Sequence, residues 1–227
     1  MTDEIRQELM DVPRNYAAQH LQQSYHLLLD PKTRSLVANH LVRFMKPICQ
    51  AAPCFTEDEK VRLIYEVLSK CLAYDHTEYP EGKGDMRYSY LGCISSGKAV
   101  CMGIAELFTM LGSAMGLKVR TVIGYGGDPA HEGGLHAWNQ IWINDIPYWV
   151  DLTWDLSDNV TLRGGRFKFY LKSDAYMERN DHTWMKEQYA SCSRDKPASE
   201  IPKIPKAAVA LLCEEFKKMR RSLAAVI

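Results

Sequence analysis

The sequence lacks an excess of charge of either sign, a long hydrophobic run and any internal repeat. Its 227 residues carry 28 Lys and Arg against 28 Asp and Glu, so the formal net charge is zero. A chain without a basic excess has no long-range attraction for nucleic acid or for an anionic membrane surface. No apolar stretch approaches the roughly 20 residues that a helix needs to cross a bilayer. We therefore expect neither nucleic acid nor a membrane as a partner.

The cysteines also lack a pattern. There are seven of them, an odd number, and none forms a CxxC motif. This usage fits a reducing compartment better than a disulfide framework. The first residues, Met1 to Glu8, are polar and acidic, unlike a secretory signal peptide. We expect a cytoplasmic location, while export without a cleaved signal stays open, and the sequence does not indicate the oligomeric state.

Three regions follow one another along the chain. Residues 1–54 predict a helical N-terminal extension, in which Tyr16 to Leu29 suggest one helix and Asp30-Pro31 starts a second. Pro47 and Pro53 would end this segment. Residues 55–175 are expected to form the core, whose first helix begins at a capping box of Thr56 and Glu59. Residues 176–227 predict a connector and a helix with a narrow apolar seam. That helix would dock on the core or, alternatively, on a partner helix.

A helix with a cysteine in its first turn forms the centre of the sequence. Between Gly97 and Gly116, apolar residues recur at spacings of three and four, which is typical of a helix with one buried face. Cys101 falls in the first turn, where free backbone N–H groups and the helix dipole favour a thiolate. Taken alone, a single cysteine in an apolar helix is more typical of a packed core. It becomes a candidate nucleophile once a base lies nearby.

Downstream of this helix the apolar period changes from helical to alternating. Residues 118–125 alternate as a half-buried strand does, and residues 135–143 and 147–153 predict a β-hairpin joined through Asn144-Asp145. A glycine-rich loop, residues 126–134, precedes the hairpin, and residues 168–171 suggest a further strand. The pattern predicts an α+β fold with an antiparallel sheet.

The aliphatic residues of the hairpin select one register. If Ile143 pairs with Ile146, the aliphatic side chains share one face, and His136 and Asp151 become diagonal neighbours on the other. In this register Thr153 lies opposite His136. A slip by one residue would move Asp151 among the aliphatic side chains. We therefore expect His136 to reach the Asp151 carboxylate.

These residues are the set that a cysteine nucleophile requires. Cys101 needs a base to take its proton, and the imidazole of His136 needs a carboxylate such as Asp151 to fix its tautomer and stabilise its cationic form. Trp138 and Trp149 lie on the same predicted face and would exclude water. The glycine-rich loop could act as a lid over a substrate.

Four short motifs surround the three residues. They are Gly97-x-x-x-Cys101-x-x-x-Ala105, Gly124-Tyr125, His136-Ala-Trp138 and Trp149-Val-Asp151-x-Thr153. Their order, from about Thr56 to Thr153, resembles that of the transglutaminase-like superfamily of cysteine enzymes, in particular its small members of bacterial type. One departure is Ala99, since many members have glycine two residues before the cysteine.

The resemblance implies a papain-like α+β core, in which the nucleophile-bearing helix packs on an antiparallel sheet, with helical N- and C-terminal additions. It also implies that the Cys101 thiolate attacks an amide carbonyl of a peptide or protein and forms a thioester, with His136 as base and Asp151 as orienting acid. No cofactor and no metal is expected. The residues that we expect to contact the substrate are Trp138, Trp149, Tyr90 and Gly134.

Several points stay open in the sequence. The oxyanion donor could be the backbone N–H of Cys101 or a side chain among Tyr74, Tyr88, Tyr90 and Ser95. His131 and His136 superficially resemble a zinc motif, but two glycines lie between them and they cannot share a helix face as HExxH requires. His182-Thr-Trp184 is more typical of packing than of chemistry.

Three functions are compatible with the sequence. Amide hydrolysis is favoured over cross-linking, because the chain is small and no dedicated amine site can be identified. The second function is deamidation of protein glutamine or amine transfer. It differs from amide hydrolysis only in which amide is attacked and in what resolves the thioester. A catalytically silent peptide-binding module is the third, although such a module has no need of all three residues.

Overall fold

The structure is a computed structural model that describes residues 31–77, 86–127, 133–156 and 167–224. The helix expected at Tyr16 to Leu29 and most of the glycine-rich loop lie outside these residues. Seven α-helices are described: α1 Pro31–Ala51, α2 Glu57–Cys71, α3 Tyr90–Ser95, α4 Cys101–Ala114, α5 Leu152–Leu156, α6 Asp174–Arg179 and α7 Lys206–Leu223. Six strands accompany them: β1 Ala73–Tyr74, β2 Lys98–Ala99, β3 Val119–Gly126, β4 Gly134–Ile143, β5 Ile146–Val150 and β6 His182–Thr183.

The N-terminal helices follow their local signals with one exception. Thr56 and Glu59 form the expected capping box, in which each backbone N–H donates to the other side chain, at 2.8 and 3.3 Å. Helix α1, however, continues through Pro47 and ends at Ala51, just before Pro53, so the stop predicted at Pro47 is wrong and the one predicted at Pro53 is confirmed. Phe44 and Ile48 are buried on either side of Pro47, and this packing holds the helix together across it.

The main sheet is antiparallel, in the order β5-β4-β3-β6, and β1 and β2 form a separate parallel pair. The predicted hairpin register is confirmed, since Ile143 pairs with Ile146. Asn144 and Asp145 have φ values of 50° and 61°, as a tight two-residue turn requires. The connection is therefore set by residues that tolerate the left-handed conformation.

The second hairpin strand ends earlier than predicted. Strand β5 stops at Val150, and the chain turns into α5, so the expected pairing of Thr153 with His136 is wrong. The cause lies at Asp151, whose backbone N–H donates to the carbonyl of Phe169 at 3.0 Å. Its side chain accepts from the N–H of Trp154 at 3.1 Å, which caps the new helix.

The strand predicted at residues 168–171 is also wrong. Phe167 and Leu171 have φ values of 95° and 52°, which are incompatible with an extended chain. Only Lys172 forms a bridge, with Trp149, through backbone hydrogen bonds of 2.8 and 2.9 Å. This segment is a turn that lies against the end of β5.

Helix α4 lies between the sheet and the other helices. One side contributes Ile104, Leu107, Phe108 and Leu111 to the main core. The other faces the sheet, where Asn139 of β4 donates to the carbonyl of Ala105 at 2.9 Å. The structure thus has a cysteine-bearing helix packed on an antiparallel sheet, and the predicted α+β, papain-like fold class is confirmed.

The C-terminal helix α7 packs on this core. Its buried seam consists of Val209, Leu212, Phe216, Met219 and Leu223. Phe216 meets Phe44 of α1 edge to face, with ring centroids 5.5 Å apart. The division into an extension, a core and a C-terminal part stays a prediction. Among the described helices, none combines the length and the apolar character that crossing a bilayer would demand.

Candidate active site

The start of α4 is positioned by the short parallel pair that precedes it. Gly97 ends the turn after α3 with φ of 77°, a conformation that favours glycine. Strand β2 then pairs with β1, so that Tyr74 lies beside Ala99, and Cys101 follows two residues later. Val100 caps α4 without a side-chain hydrogen bond. The first-turn N–H groups and the positive helix end therefore face the half-buried Cys101.

His136 lies on β4 and contacts both other members of the predicted set. Its Nε2 is 2.7 Å from Oδ2 of Asp151. Nδ1 is therefore the nitrogen that can take the proton of the Cys101 thiol. Burial disfavours the charged ring, but the charge of Asp151, the hydrogen bond to it and the interaction with Cys101 outweigh this effect and raise the pKa of His136 to about 10. The site therefore favours an imidazolium next to the cysteine.

Asp151 is completely buried and accepts three hydrogen bonds. His136 and His182 both approach Oδ2, at 2.7 and 2.9 Å, and the N–H of Trp154 donates to Oδ1. Burial alone would raise the pKa of this carboxyl. The charges of the two histidines and their hydrogen bonds outweigh burial and hold the pKa of Asp151 well below its usual range. Asp151 is thus a carboxylate.

His182 is the residue of this site that sequence reasoning missed. It lies on the edge strand β6, opposite Gly126 of β3, and only 1% of its side chain is exposed. Its Nε2 is 2.9 Å from Asp151, and its Nδ1 is 2.7 Å from the carbonyl oxygen of Asn180. A signal was present, because His182-Thr-Trp184 repeats the His-x-Trp spacing of His136-Ala-Trp138.

The two histidines and Asp151 also form a possible metal donor set. Among the side chains that the structure describes, one nitrogen of each ring and a carboxylate oxygen lie within 4.8 Å of one another. Two imidazoles and a carboxylate suit several divalent metals. The nitrogen–oxygen distances, however, are those of hydrogen bonds, and hydrogen bonding accounts for the arrangement.

The tryptophans support the site from behind. The exposed fractions of Trp138 and Trp149 are 1% and 0%, so the prediction that they contact substrate is corrected: neither offers accessible surface. Trp138 stacks on His136 with centroids 5.6 Å apart. Trp149 donates from Nε1 to Asp174 at 2.7 Å. The half-buried Trp154, which the sequence analysis did not consider, also lies 5.6 Å from the His136 ring.

Tyr90 and Gly134 retain surface, and their assignment to the substrate stays a prediction. Gly134 is exposed at the start of β4. Tyr90 is half-buried at the start of α3, where its backbone N–H donates to Glu106 at 3.2 Å. Among the oxyanion candidates, Tyr74 interacts electrostatically with Cys101. Burial first, and then the charge of Cys101, raise the pKa of the Tyr74 hydroxyl.

Comparison with known proteins agrees with the motifs. Residues 48–153 match the sequence model of the transglutaminase-like superfamily, and this range contains Cys101, His136 and Asp151. This part of the chain is therefore similar to the transglutaminase-like superfamily, as its motifs predict. Among curated proteins, none is similar enough to count as a match.

Two solved structures show limited similarity. One, from Cytophaga hutchinsonii, is described as a candidate cysteine protease; it is 18% identical over 55% of this chain and 43% of its own, with a TM-score of 0.38. The other is described as a TGase; it is 15% identical over 85% of this chain and 48% of its own, with a TM-score of 0.43. The chain thus spans less than half the length of either protein.

Proposed function

We propose that the protein is a cysteine-dependent amide hydrolase or acyltransferase of the transglutaminase-like type, which acts on a peptide or protein through a thioester on Cys101. One observation carries the proposal: His136 is held by a buried carboxylate at 2.7 Å and interacts with a cysteine at the start of a helix. The superfamily match covers all three residues.

In the first half of the reaction, the Cys101 thiolate attacks the carbonyl carbon of the amide. The carbonyl oxygen becomes an oxyanion, for which the backbone N–H of Cys101 and the Tyr74 hydroxyl are the candidate donors. The C–N bond then breaks, and the proton of the His136 imidazolium goes to the departing amine. The products are free amine and a thioester on Sγ, with Asp151 holding the ring throughout.

In the second half, water or a second amine resolves the thioester. Neutral His136 takes a proton from the attacking group as it bonds to the acyl carbon, and the C–S bond breaks. Cys101 leaves as a thiolate and the ion pair is restored. Water yields an acid and completes a hydrolysis, whereas an amine yields a new amide. If the attacked amide is a glutamine side chain, the same steps give deamidation or transamidation.

The reactivity of Cys101 tests this proposal against the silent peptide-binding alternative. We would measure iodoacetamide alkylation of each cysteine against pH by peptide mass spectrometry, in the native protein and in His136→Ala. Cys49 and Cys54 are exposed and serve as reference cysteines in the same sample. We expect Cys101 to react well below pH ~8.5, the ordinary thiol pKa, and to lose this advantage in the variant.

If Cys101 is not activated, the proposal that the protein is an enzyme is wrong. If the pH profile of Cys101 followed those of Cys49 and Cys54, the chain would have no thiolate–imidazolium pair. A positive result justifies incubation with peptide and glutamine-containing libraries. Peptide cleavage, ammonia release and amine incorporation then separate hydrolysis, deamidation and cross-linking.

A further inference from the structure

The two ring nitrogens of His182 lie in an unusual setting. Both ring nitrogens face oxygen acceptors at short distance: Nδ1 faces the carbonyl of Asn180 at 2.7 Å, and Nε2 faces the Asp151 carboxylate at 2.9 Å. A neutral imidazole carries one N–H and would point a lone pair at one of these oxygens. Neither acceptor can supply the missing proton, because one is a backbone carbonyl and the other is an ionised carboxylate. Both contacts are hydrogen bonds only if both nitrogens carry protons.

We propose that His182 is a buried imidazolium that positions Asp151 and balances its charge, so that Asp151 orients His136 without holding its proton too tightly. This inference rests on the proposed function, since it assigns a role within the same site. His182 acts through Asp151 and is a positioning residue, not a catalytic one.

The charges of the site support this role. With Cys101 as thiolate and His136 as imidazolium, the pair is neutral, and Asp151 would leave one buried negative charge. A buried charge without a partner is costly. The imidazolium of His182 reduces the total to zero. It also reduces the pull of Asp151 on the His136 proton, which must pass to the leaving amine in each cycle.

The surroundings of His182 fix the ring in place. It contacts Trp138 at right angles, with centroids 5.2 Å apart, and lies 4.2 Å from Trp154 and 5.3 Å from Phe169. These aromatic faces suit a cation, because the ring quadrupole presents negative charge to it. The backbone of β6 pairs with β3, and the carbonyl of Asn180 comes from the end of α6. The fold therefore presents His182 to Oδ2 of Asp151, the same oxygen that His136 contacts.

Other titratable groups around His182 and Asp151 come from five elements. They are Cys101 of α4, His136 of β4, Asp155 of α5, Tyr65 of α2 and Tyr176 of α6, which lies behind Phe169. Burial raises the pKa of Asp155 to about 7, and this carboxyl accepts a hydrogen bond from Tyr65.

The first arm of the test counts protons on His182 in the full-length native protein. Long-range correlation of ring ¹⁵N and ¹H nuclei in histidine-labelled protein at pH 7 distinguishes an imidazolium from each neutral tautomer, and loss of the signals in His182→Gln assigns them. We expect both ring nitrogens to be protonated. A single ring proton would overturn the proposal, and so would one equivalent of bound metal in the purified protein. This arm is independent of any reactivity of Cys101.

The second arm measures the effect on the cysteine pair. In His182→Gln the amide can still donate to Asp151, but the charge is gone. The pH profile of Cys101 alkylation should show one step when the thiolate forms and a second when His136 loses its proton. We expect both steps to move to higher pH, and the His136 step by about two units, as for the loss of a unit charge 5.6 Å away at an effective dielectric of about 20. A role in packing alone would lower thermal stability and leave both steps in place.

Controls separate this proposal from the proposed function. His40→Gln, in helix α1, removes a histidine elsewhere in the chain and should change neither step. If Cys101 of the native protein is not activated, the proposed function fails, and the proton count still decides the charge of His182. If Cys101 is activated but His182→Gln leaves both steps unmoved, the charge-balancing role is wrong while the proposed function stands.

Discussion

Asp151 contacts His136 from the cap of helix α5 and not from a paired position in the hairpin. Its Oδ2 is 2.7 Å from the imidazole, while its Oδ1 accepts from the backbone N–H of Trp154 at 3.1 Å. The same carboxylate thus starts a helix and holds the candidate base. Because the cap fixes the carboxylate, the orientation of His136 is tied to the backbone and not to a freely rotating side chain.

This double role predicts the effect of Asp151→Asn. The amide retains an oxygen for the Trp154 N–H but loses the charge that favours the His136 imidazolium. We expect Cys101 alkylation at pH 7 to fall to the rate of Cys49 and Cys54. We also expect the free energy of unfolding to fall by about 3 kcal/mol, because two buried imidazoles lose their anionic partner.

Peptide mass spectrometry and urea unfolding measure the two effects. Asp145→Asn is the matched control, since the position is exposed in the hairpin turn and asparagine tolerates its φ of 61°. The control should leave both quantities unchanged. An Asp151→Asn protein in which Cys101 remained activated would show that the carboxylate is not what sustains the His136 cation.

Local signals were sufficient to predict the cysteine-bearing helix and the hairpin. The period of apolar residues defined α4 and the register of Ile143 with Ile146, because each depends on neighbours within a few turns or one strand pair. Cys101, His136 and Asp151 could therefore be predicted as a group. The end of β5 could not, because it depends on a hydrogen bond from Asp151 to the distant Phe169.

The contribution of β6 could not be predicted either, because it also depends on contacts between residues that are distant in sequence. His182 approaches Asp151 only after a two-residue strand pairs with the far edge of the sheet, and such a strand has no periodic pattern of its own. The burial of Trp149 was missed because Trp184 and Tyr189, also distant in sequence, cover it. Alternation along a hairpin indicates which residues share a face, but not what later packs on that face.

The raised pKa of His136 predicts a specific dependence of stability on alkaline pH. The ordinary pKa of 6.5 applies to the unfolded chain and about 10 to the folded one, so the folded state binds the proton more tightly. This contribution is complete below pH 6.5 and is lost as the pH rises toward 10. Between pH 7 and about 8.5, the proton that Cys101 keeps in the unfolded chain offsets the extra proton that His136 holds in the folded state, so the pair leaves the free energy of unfolding nearly constant. We expect the free energy of unfolding to fall between pH 9 and 10, by no more than about 1.4 kcal/mol per pH unit for one proton.

Urea unfolding of the native protein and of His136→Gln at several pH values checks this dependence. The variant should lose most of the slope between pH 9 and 10. Glu106 and Asp155, whose pKa values burial raises to about 7, contribute mainly below that window. Equal slopes in both proteins would mean that His136 does not carry the extra proton in the folded state.

Glu106 predicts a gain in stability from a single substitution. It lies on α4, and its carboxylate accepts a hydrogen bond from the backbone N–H of Tyr90 at 3.2 Å. Burial raises the pKa of Glu106 from 4.5 to about 7. The protonated form therefore favours the folded state, and this contribution is lost as the pH rises through 7. Glu106→Gln keeps an acceptor for Tyr90 and does not ionise. We expect it to stabilise the protein by about 1–2 kcal/mol at pH 8 and to have little effect at pH 5.

Thermal and urea unfolding at the two pH values measure this gain. Glu200→Gln, at an exposed position in a short turn of helix, provides the control and should change stability at neither pH. A stabilisation of Glu106→Gln that was the same at pH 5 and pH 8 would contradict titration of this carboxyl as its cause.

Helix α7 offers a matched pair that tests where it docks. Phe216 is completely buried against Phe44, whereas Leu211 on the same helix is 61% exposed. Truncation of a buried phenylalanine costs about 3–5 kcal/mol, and an exposed substitution usually stays within about 0.5 kcal/mol. We therefore expect Phe216→Ala to lower the free energy of unfolding by that larger amount and Leu211→Ala to leave it nearly unchanged.

Sedimentation measured beside urea unfolding separates docking in the same chain from docking on a partner. If α7 belonged to a partner, Phe216→Ala would dissociate an oligomer, and its stability would depend on protein concentration.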